Sequence, residues 1–330
     1  MRAVVLATFL CLLSSTVAAK ETLEIATAAP SFSAWGKVFA AWARAVERKT
    51  GGSLAIRFHW RGVQGGDATV VGKLKSGQLD GATLGARGLG MIHQPALALQ
   101  LPGLFRSWDA IDHASKTLYP RLAKGFADQG LYLSSIGTVG RAHTFTKGHH
   151  VRSVADLRRM KPFAPPTSAI FDTMASQAGL TPVKIPISQL LPALSSGRVD
   201  VMTAPPLVVE QLQFAPHLNF MNEDVVAVAV GAMVFRQSSL DTLPEDAKRV
   251  LRGTGRRAGQ LIRDRVRRMD GEAYARLAKR LTVVSLSDTQ RKEWTNLFTE
   301  VRRRLGQGTF SPALIAEVER LARERRSTGD

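Results

Sequence analysis

Asp80 and Asp200 stand in near-identical surroundings, since LKSGQLDGATLG begins at Leu74 and LSSGRVDVMTAP at Leu194. Two carboxylates sharing one site could divide general-acid and general-base work between them. In both stretches, however, the acid follows a Ser-Gly turn, where an aspartate accepts backbone N–H groups and fixes the turn. His149 and His150 are the next candidates, because imidazole is a common metal ligand. As direct neighbours they lack the i, i+4 helical spacing that presents two rings to one ion. A nucleophile elbow, a GxGxxG after a strand and a Walker loop are all missing from the sequence. The expectation is therefore no catalytic residue, no metal, no cofactor, and a chain that is not an enzyme.

The residues that remain chemically informative are arginines, aromatics and the elements that would carry them. The first nineteen residues stand apart: Arg2 gives a positive start, Ala3 to Leu13 is apolar, and Val17-Ala18-Ala19 offers small residues to a signal peptidase. This is the pattern of a secretory signal cleaved near Ala19, and it implies export. Cys11, the sole cysteine, lies inside that segment, which excludes disulfides and thiolate chemistry from the mature chain. No later apolar run reaches the roughly 18 residues of a membrane helix. The formal net charge is +18, with much of the excess on Arg249 to Arg280. That stretch offers only Tyr274 as an aromatic, so a solvated helix face is expected and no nucleic-acid partner.

Along the rest of the 330 residues, strands and helices alternate. TLEIATAA (22–29) reads as a buried strand and Phe32 to Lys49 as an amphipathic helix. SLAIRFHW then alternates as a second strand, and Asp67 to Leu74 is helical. Gly77 suits a left-handed helix cap, and GATLG follows as a strand. A second series matches it. MKPFAPP is a strand, Ser168 to Gly179 a helix, TPVKIPI a strand, Ser188 to Ser195 a helix, and Val199 to Met202 a strand. Such alternation builds parallel α/β sheets. NEDVVAVAVGAMVF is too long for one small sheet and is expected to cross between lobes. A long helix starts at Leu243-Pro244-Glu245 and runs towards Arg280, with interruptions expected at Gly253 to Gly259 or Gly271. The predicted fold is α/β: a two-lobed periplasmic binding protein with crossing hinge segments and a ligand cleft between the lobes. Lobe I takes 20–144 and 226–272, and lobe II takes 145–225 and 273–330.

The order of these elements resembles the solute-binding proteins of TRAP (tripartite ATP-independent periplasmic) transporters, of the dicarboxylate-receptor type. The resemblance rests on FAAWARAVERKTGG, VVGKLKSGQLDGATLG, LALQLPGLF, VRSVADLRRMKPFAPP, ISQLLPALSSGRVDVMTAP and LDTLPEDAKRVL. It implies a receptor that delivers a small molecule to integral membrane transporter subunits. In the family, Asp-Leu-Lys-Gly-Leu-Lys-Ile-Arg-Val-Pro usually supplies an arginine that forks onto the ligand carboxylate. Here Asp156-Leu157 leads to Phe163 at that place when read without gaps, while a slip of two to four residues would substitute Arg158 or Arg159.

Phe163 with Met202 and Pro205 implies an apolar cleft and a hydrophobic or amphipathic ligand, with Thr203 standing where the family often has a carboxylate or amide; the alternative is that Phe163 packs in the lobe core. Trp35, Gln64, Arg87, Arg141 and His143 complete the candidate ligand-binding residues. The competing reading is an exported envelope scaffold that kept the fold without transporting a ligand.

Overall fold

Strand β1 (Glu21–Ala26) and helix α1 (Ala34–Lys49) open an alternating series continued by β2 (Leu54–His59), α2 (Asp67–Ser76), β3 (Gly81–Leu84) and α3 (Ala86–His93). The computed structural model describes residues 20–325; the expected signal segment and its cleavage point lie outside them. The apolar spacing in α1 buries Val38, Phe39, Trp42 and Val46 on one face. Its start is fixed by Ser33, whose hydroxyl accepts the Gly36 N–H at 3.1 Å. A Cβ at Gly36 would lie 2.2 Å from Pro30 O, so the chain can fold back on this helix only over a glycine. At the other end of the series, α2 stops at Gly77 with φ 76°, the left-handed cap that glycine adopts without strain. A 3₁₀ segment (Gln94–Gln100) and α4 (Trp108–Ala127) follow.

A long strand, β4 (Leu131–Thr146), leads out of this lobe into the second series. That series runs α5 (Val154–Leu157), β5 (Phe163–Ala164), α6 (Ala169–Ala178), β6 (Val183–Lys184), α7 (Leu190–Ser195), β7 (Val201–Ala204) and α8 (Pro206–Gln211). Strands β5 and β6 pair over only two residues each, shorter than expected. Pro162, Pro165, Pro182 and Pro186 flank them and cannot donate to a ladder. The chain returns along β8 (Phe220–Arg236), then α9 (Gln237–Asp241), α10 (Glu245–Ala278), β9 (Thr282–Val284), α11 (Asp288–Leu305) and α12 (Pro312–Glu324).

Strands β4 and β8 run antiparallel from Leu131↔Arg236 to Thr146↔Phe220 and serve both lobes. In lobe I, β8 is flanked by β3, giving the order β2-β1-β3-β8-β4. In lobe II, β4 is flanked by β7 and β8 by β9. Register shifts at Leu133/Ser135, Thr138/Gly140, Ala142/His143 and His143/Phe145 add twist and bend where the ladder passes between lobes. The expected crossing segment is thus β8, with β4 as its partner.

Helix α10 runs unbroken for 34 residues, without the interruption expected at its glycines. Gly255 and Gly259 instead let the helix approach β4 closely: added Cβ atoms would sit 3.3 Å from Ser134 Oγ and 3.4 Å from Ser135 Cβ. The C-terminal helix also departs from the sequence-based division of lobes. Leu314, Ile315, Val318, Leu321 and Ala322 of α12 share one buried cluster with Ile111, Leu118 and Leu122 of α4, placing α12 on lobe I rather than lobe II. Its apolar stripe has no sequence marker for which lobe it covers.

Candidate functional site

The carboxyl ends of the parallel strands point at one place from both sides. Strand β3 leaves the sheet at Leu84, paired with Ala232, and β7 leaves it at Ala204, paired with His143. Between these exits, residues 137–142 of β4 carry neither flanking strand. A crevice outside strand carboxyl ends, where the sheet order switches, is where open α/β folds take ligands. Helices α1, α2 and α3 begin after the lobe I strand exits and α6 after a lobe II exit, which puts their positive dipole ends at the carboxyl ends of the strands.

Side chains at the lobe I exits are tightly organised. Thr83 Oγ1 donates to Thr27 Oγ1 at 2.7 Å, and Thr27 Oγ1 accepts the Ala29 N–H at 3.1 Å. Helices α2 and α3 have glycine caps, Gly66 and Gly85, without side-chain capping. Asp67 instead reaches across, its Oδ2 accepting the Gly88 N–H at 2.8 Å. Burial pushes the Asp67 carboxyl above its usual range, opposed by the Gly88 and Gly85 N–H groups and by the Arg87 charge.

The nine residues expected to bind ligand are not brought together as one set. Phe163 is 7% exposed and packs in the lobe II core with Phe145, Leu190 and Met202. Met202 points into the same core, whereas Thr203 faces the other way and is half-buried. Pro205 is buried against the hinge, where a Cβ on Gly140 would lie 2.4 Å from its ring. His143 is buried too. Its Nδ1 lies 3.1 Å from Asn222 O and its ring packs on Tyr274. Burial lowers its pKa to about 4, partly offset by the Asn222 hydrogen bond, so the ring is neutral at ordinary pH.

In lobe I, Trp35 is half-buried against the core, Gln64 Oε1 accepts from Lys73 Nζ at 2.7 Å, and Arg87 is exposed at the start of α3. Neither arginine considered as a substitute for Phe163 is brought to the crevice. Arg158 Nε donates to Ala178 O at 2.8 Å behind α6, and Arg159 lies exposed on the turn after α5.

Arg141 sits on the bare segment of β4. Its guanidinium stacks 5.3 Å from the Trp108 ring, Nη1 donates to Arg106 O at 3.4 Å, and Nε is buried without a partner. The Arg141 N–H donates to Asp270 Oδ2 at 3.1 Å, while Asp270 Oδ1 accepts the Leu207 N–H at 3.2 Å. One carboxylate of α10 therefore ties β4 to α8 at the hinge. Burial raises the Asp270 pKa despite these two N–H bonds and the Arg141 charge.

Arg267 stacks on the same indole and pairs with Asp112 of α4. The sequence reading missed Asp270, Trp108 and Arg267. Asp270 had a signal: it falls in helical register with Val266, Ala273 and Leu277, all buried, so an acid lay on the apolar stripe.

A separate cavity of ≈ 260 Å³ lies between Arg106, the Asn222–Val226 segment of β8, and Arg291 and Trp294 of α11, and contains none of the nine. Among the described residues no group of three or more His, Cys, Asp or Glu could hold a metal, and no helix is long and apolar enough to cross a membrane.

Two α/β lobes, two crossing strands, one bridging helix and a crevice between strand ends define a hinged binding protein. The profile of the bacterial extracellular solute-binding proteins, family 7 (DctP), matches residues 25–307, and the chain belongs to that family. Its members bind solutes and catalyse no reaction.

The fold is shared with solved TRAP periplasmic proteins. One from Sulfurospirillum deleyianum with bound succinate is 18% identical, with a TM-score of 0.83, covering 92% of this chain and 99% of its own. A sugar acid binding protein from Advenella mimigardefordensis in complex with galactonate is 16% identical, with a TM-score of 0.85, over 93% and 99%. One from Desulfovibrio desulfuricans with bound sn-glycerol-3-phosphate is 16% identical, with a TM-score of 0.84, over 94% and 98%.

These relatives overturn the expectation of a hydrophobic or amphipathic ligand, because succinate, galactonate and glycerol-3-phosphate are polar anions. The physical reason is visible at Phe163 and Met202. Their apolar surface is used in the lobe II core and does not furnish a cleft.

Proposed function

We propose that the chain is an exported, periplasmic receptor of a TRAP-type transporter that captures a small polar carboxylate, of the hydroxy-acid or sugar-acid kind, and hands it to the membrane subunits. The observation that carries this reading is Arg141. It is an arginine on the bare hinge segment of β4 with a buried Nε that has no partner. A guanidinium with free N–H groups in a crevice ringed by helix N-termini favours a carboxylate over any neutral ligand.

In this reading Phe163 replaces the family's arginine on β5 with core packing, and the ion pair moves to Arg141. Arg87 adds positive charge at the lobe I rim. Trp35, Gln64 and Thr203 are the neighbours that would contact the carbon chain and hydroxyls, since sugar-acid hydroxyls need both donors and acceptors. His143, Met202, Phe163 and Pro205 support the site from behind. Native mass spectrometry of the purified protein tests the proposal. A co-purified hydroxy or sugar acid, lost in Arg141→Gln and weakened in Arg141→Lys, is the expected result. A bound acid retained by Arg141→Gln would assign the ion pair to another residue.

A further inference from the structure

The outer face of lobe I carries a groove of ≈ 820 Å³ between α1 and α10, away from the hinge crevice. Lys37 and Lys49 line it from α1, and Arg249, Arg257, Arg265 and Arg268 from α10, against the single carboxylate of Asp264. Among the described residues, Arg268 reaches only Glu272, at 3.9 Å, and the other five cations form no ion pair. Arg265 Nε is buried without an acceptor. Elsewhere on this surface arginines do find acids, as Arg276 does with Glu210 at 2.7 Å. The groove therefore lines up positive charge that the chain itself leaves uncompensated.

Its floor is small and apolar. Ala41 and Ala45 come from α1 and Gly253 from α10, where an added Cβ would meet nothing within 4 Å. Leu261 stands 52% exposed beside it. At 1.5 Å per residue, the cations of α1 span about 18 Å and those of α10 about 28 Å. A bilayer surface would meet the rims and leave this floor empty, and a single small anion would meet one or two of the cations. A chain with apolar side chains on one face and carboxylates on both flanks fills the whole feature.

We infer that this groove docks an acidic amphipathic helix of another polypeptide. Its apolar face lies on Gly253, Ala41 and Ala45, and its carboxylates meet the arginines of α10 and the lysines of α1. The inference is independent of the ligand taken at the hinge.

The test uses the mature full chain and a fluorescent peptide of about 18 residues, Glu-rich with Leu at helical i, i+3, i+7 spacing. A scrambled peptide of equal composition and phosphatidylglycerol vesicles serve as controls. The ordered peptide is expected to bind about tenfold or more tightly than the scrambled one, a difference of about 1.4 kcal/mol. Gly253→Leu fills the floor without changing charge, and leucine is the better helix former. It is expected to abolish that preference, while Arg249→Glu with Arg257→Glu weakens both peptides, with circular dichroism unchanged in each variant. Equal binding of the two peptides, absence of saturable binding, or a preference that survives Gly253→Leu would overturn the inference. Vesicles that displace the ordered peptide would assign the groove to a membrane surface instead.

Discussion

Asp80 and Asp200 make the same pair of hydrogen bonds in different lobes. Asp80 Oδ2 accepts the Glu24 N–H at 2.8 Å while its own N–H donates to Glu24 O at 2.9 Å. Asp200 Oδ1 accepts the Lys161 N–H at 2.6 Å while its N–H donates to Lys161 O at 3.1 Å. Each acid fastens the turn after a capped helix to the segment beside it, and Leu74 and Leu194 anchor those helices at 1% and 0% exposure. The repeated seven-residue pattern is a structural clamp used once per lobe, and the two carboxylates form no dyad.

Removing the clamps should therefore lower stability without altering ligand preference. Asp80→Ala, in the half-buried setting, is expected to cost about 2 kcal/mol, and Asp200→Ala, at a more exposed site, about 1 kcal/mol. The Asn variants keep an acceptor and should lose less. Urea titration of the four variants checks the order.

Asp270 is a stronger dependency, since one buried carboxylate satisfies two backbone N–H groups from different elements. Asp270→Ala leaves both donors unpaired and is expected to destabilise the chain by about 3 kcal/mol. Asp270→Asn, which retains one acceptor oxygen, should fall between it and the parent. Destabilisation below about 1 kcal/mol in Asp270→Ala would show that the hinge does not depend on this tie.

The His143 ring makes stability depend on pH. Its folded pKa of about 4 lies below the ordinary 6.5, so the unfolded chain takes up a proton in that interval and the native chain does not. Stability from this group is complete above pH 6.5 and is lost as pH falls towards 4, by about 3 kcal/mol in all. Arg141, Asp224 and Tyr274 are the charged and titratable side chains that face the ring. His143→Gln should flatten the slope between pH 6.5 and 4 in denaturation experiments, and a slope equal to the parent's would place the titrating group elsewhere.

The alternation of strands and helices was legible because elements carried local signals, such as Gly77 and Gly179, which end their helices in left-handed caps. The crossing role of β8 was legible from its length alone. What escaped were relations with no local signature. The direction in which Phe163 packs depends on which face of a two-residue strand meets Leu190 and Met202. The lobe chosen by α12 depends on α4, whose contributing residues lie some 200 positions earlier in the chain. The candidate site was the least legible part, because nothing local in the sequence marks whether Phe163 lines a cleft or fills a core.

The central claim, a hinged receptor for a polar carboxylate held by Arg141, is tested most directly by calorimetric titration with small-angle scattering on the same samples. The panel is succinate, galactonate, gulonate, pantoate and glycerol-3-phosphate, with a fatty acid as the apolar control. At least one polar acid is expected to bind, to reduce the radius of gyration as the lobes close, and to add about 2.7 kcal/mol of stability at one hundred times its dissociation constant. Arg141→Gln is expected to abolish that binding. Binding of the fatty acid alone, or of a polar acid without compaction and with Arg141→Gln unaffected, would contradict the account.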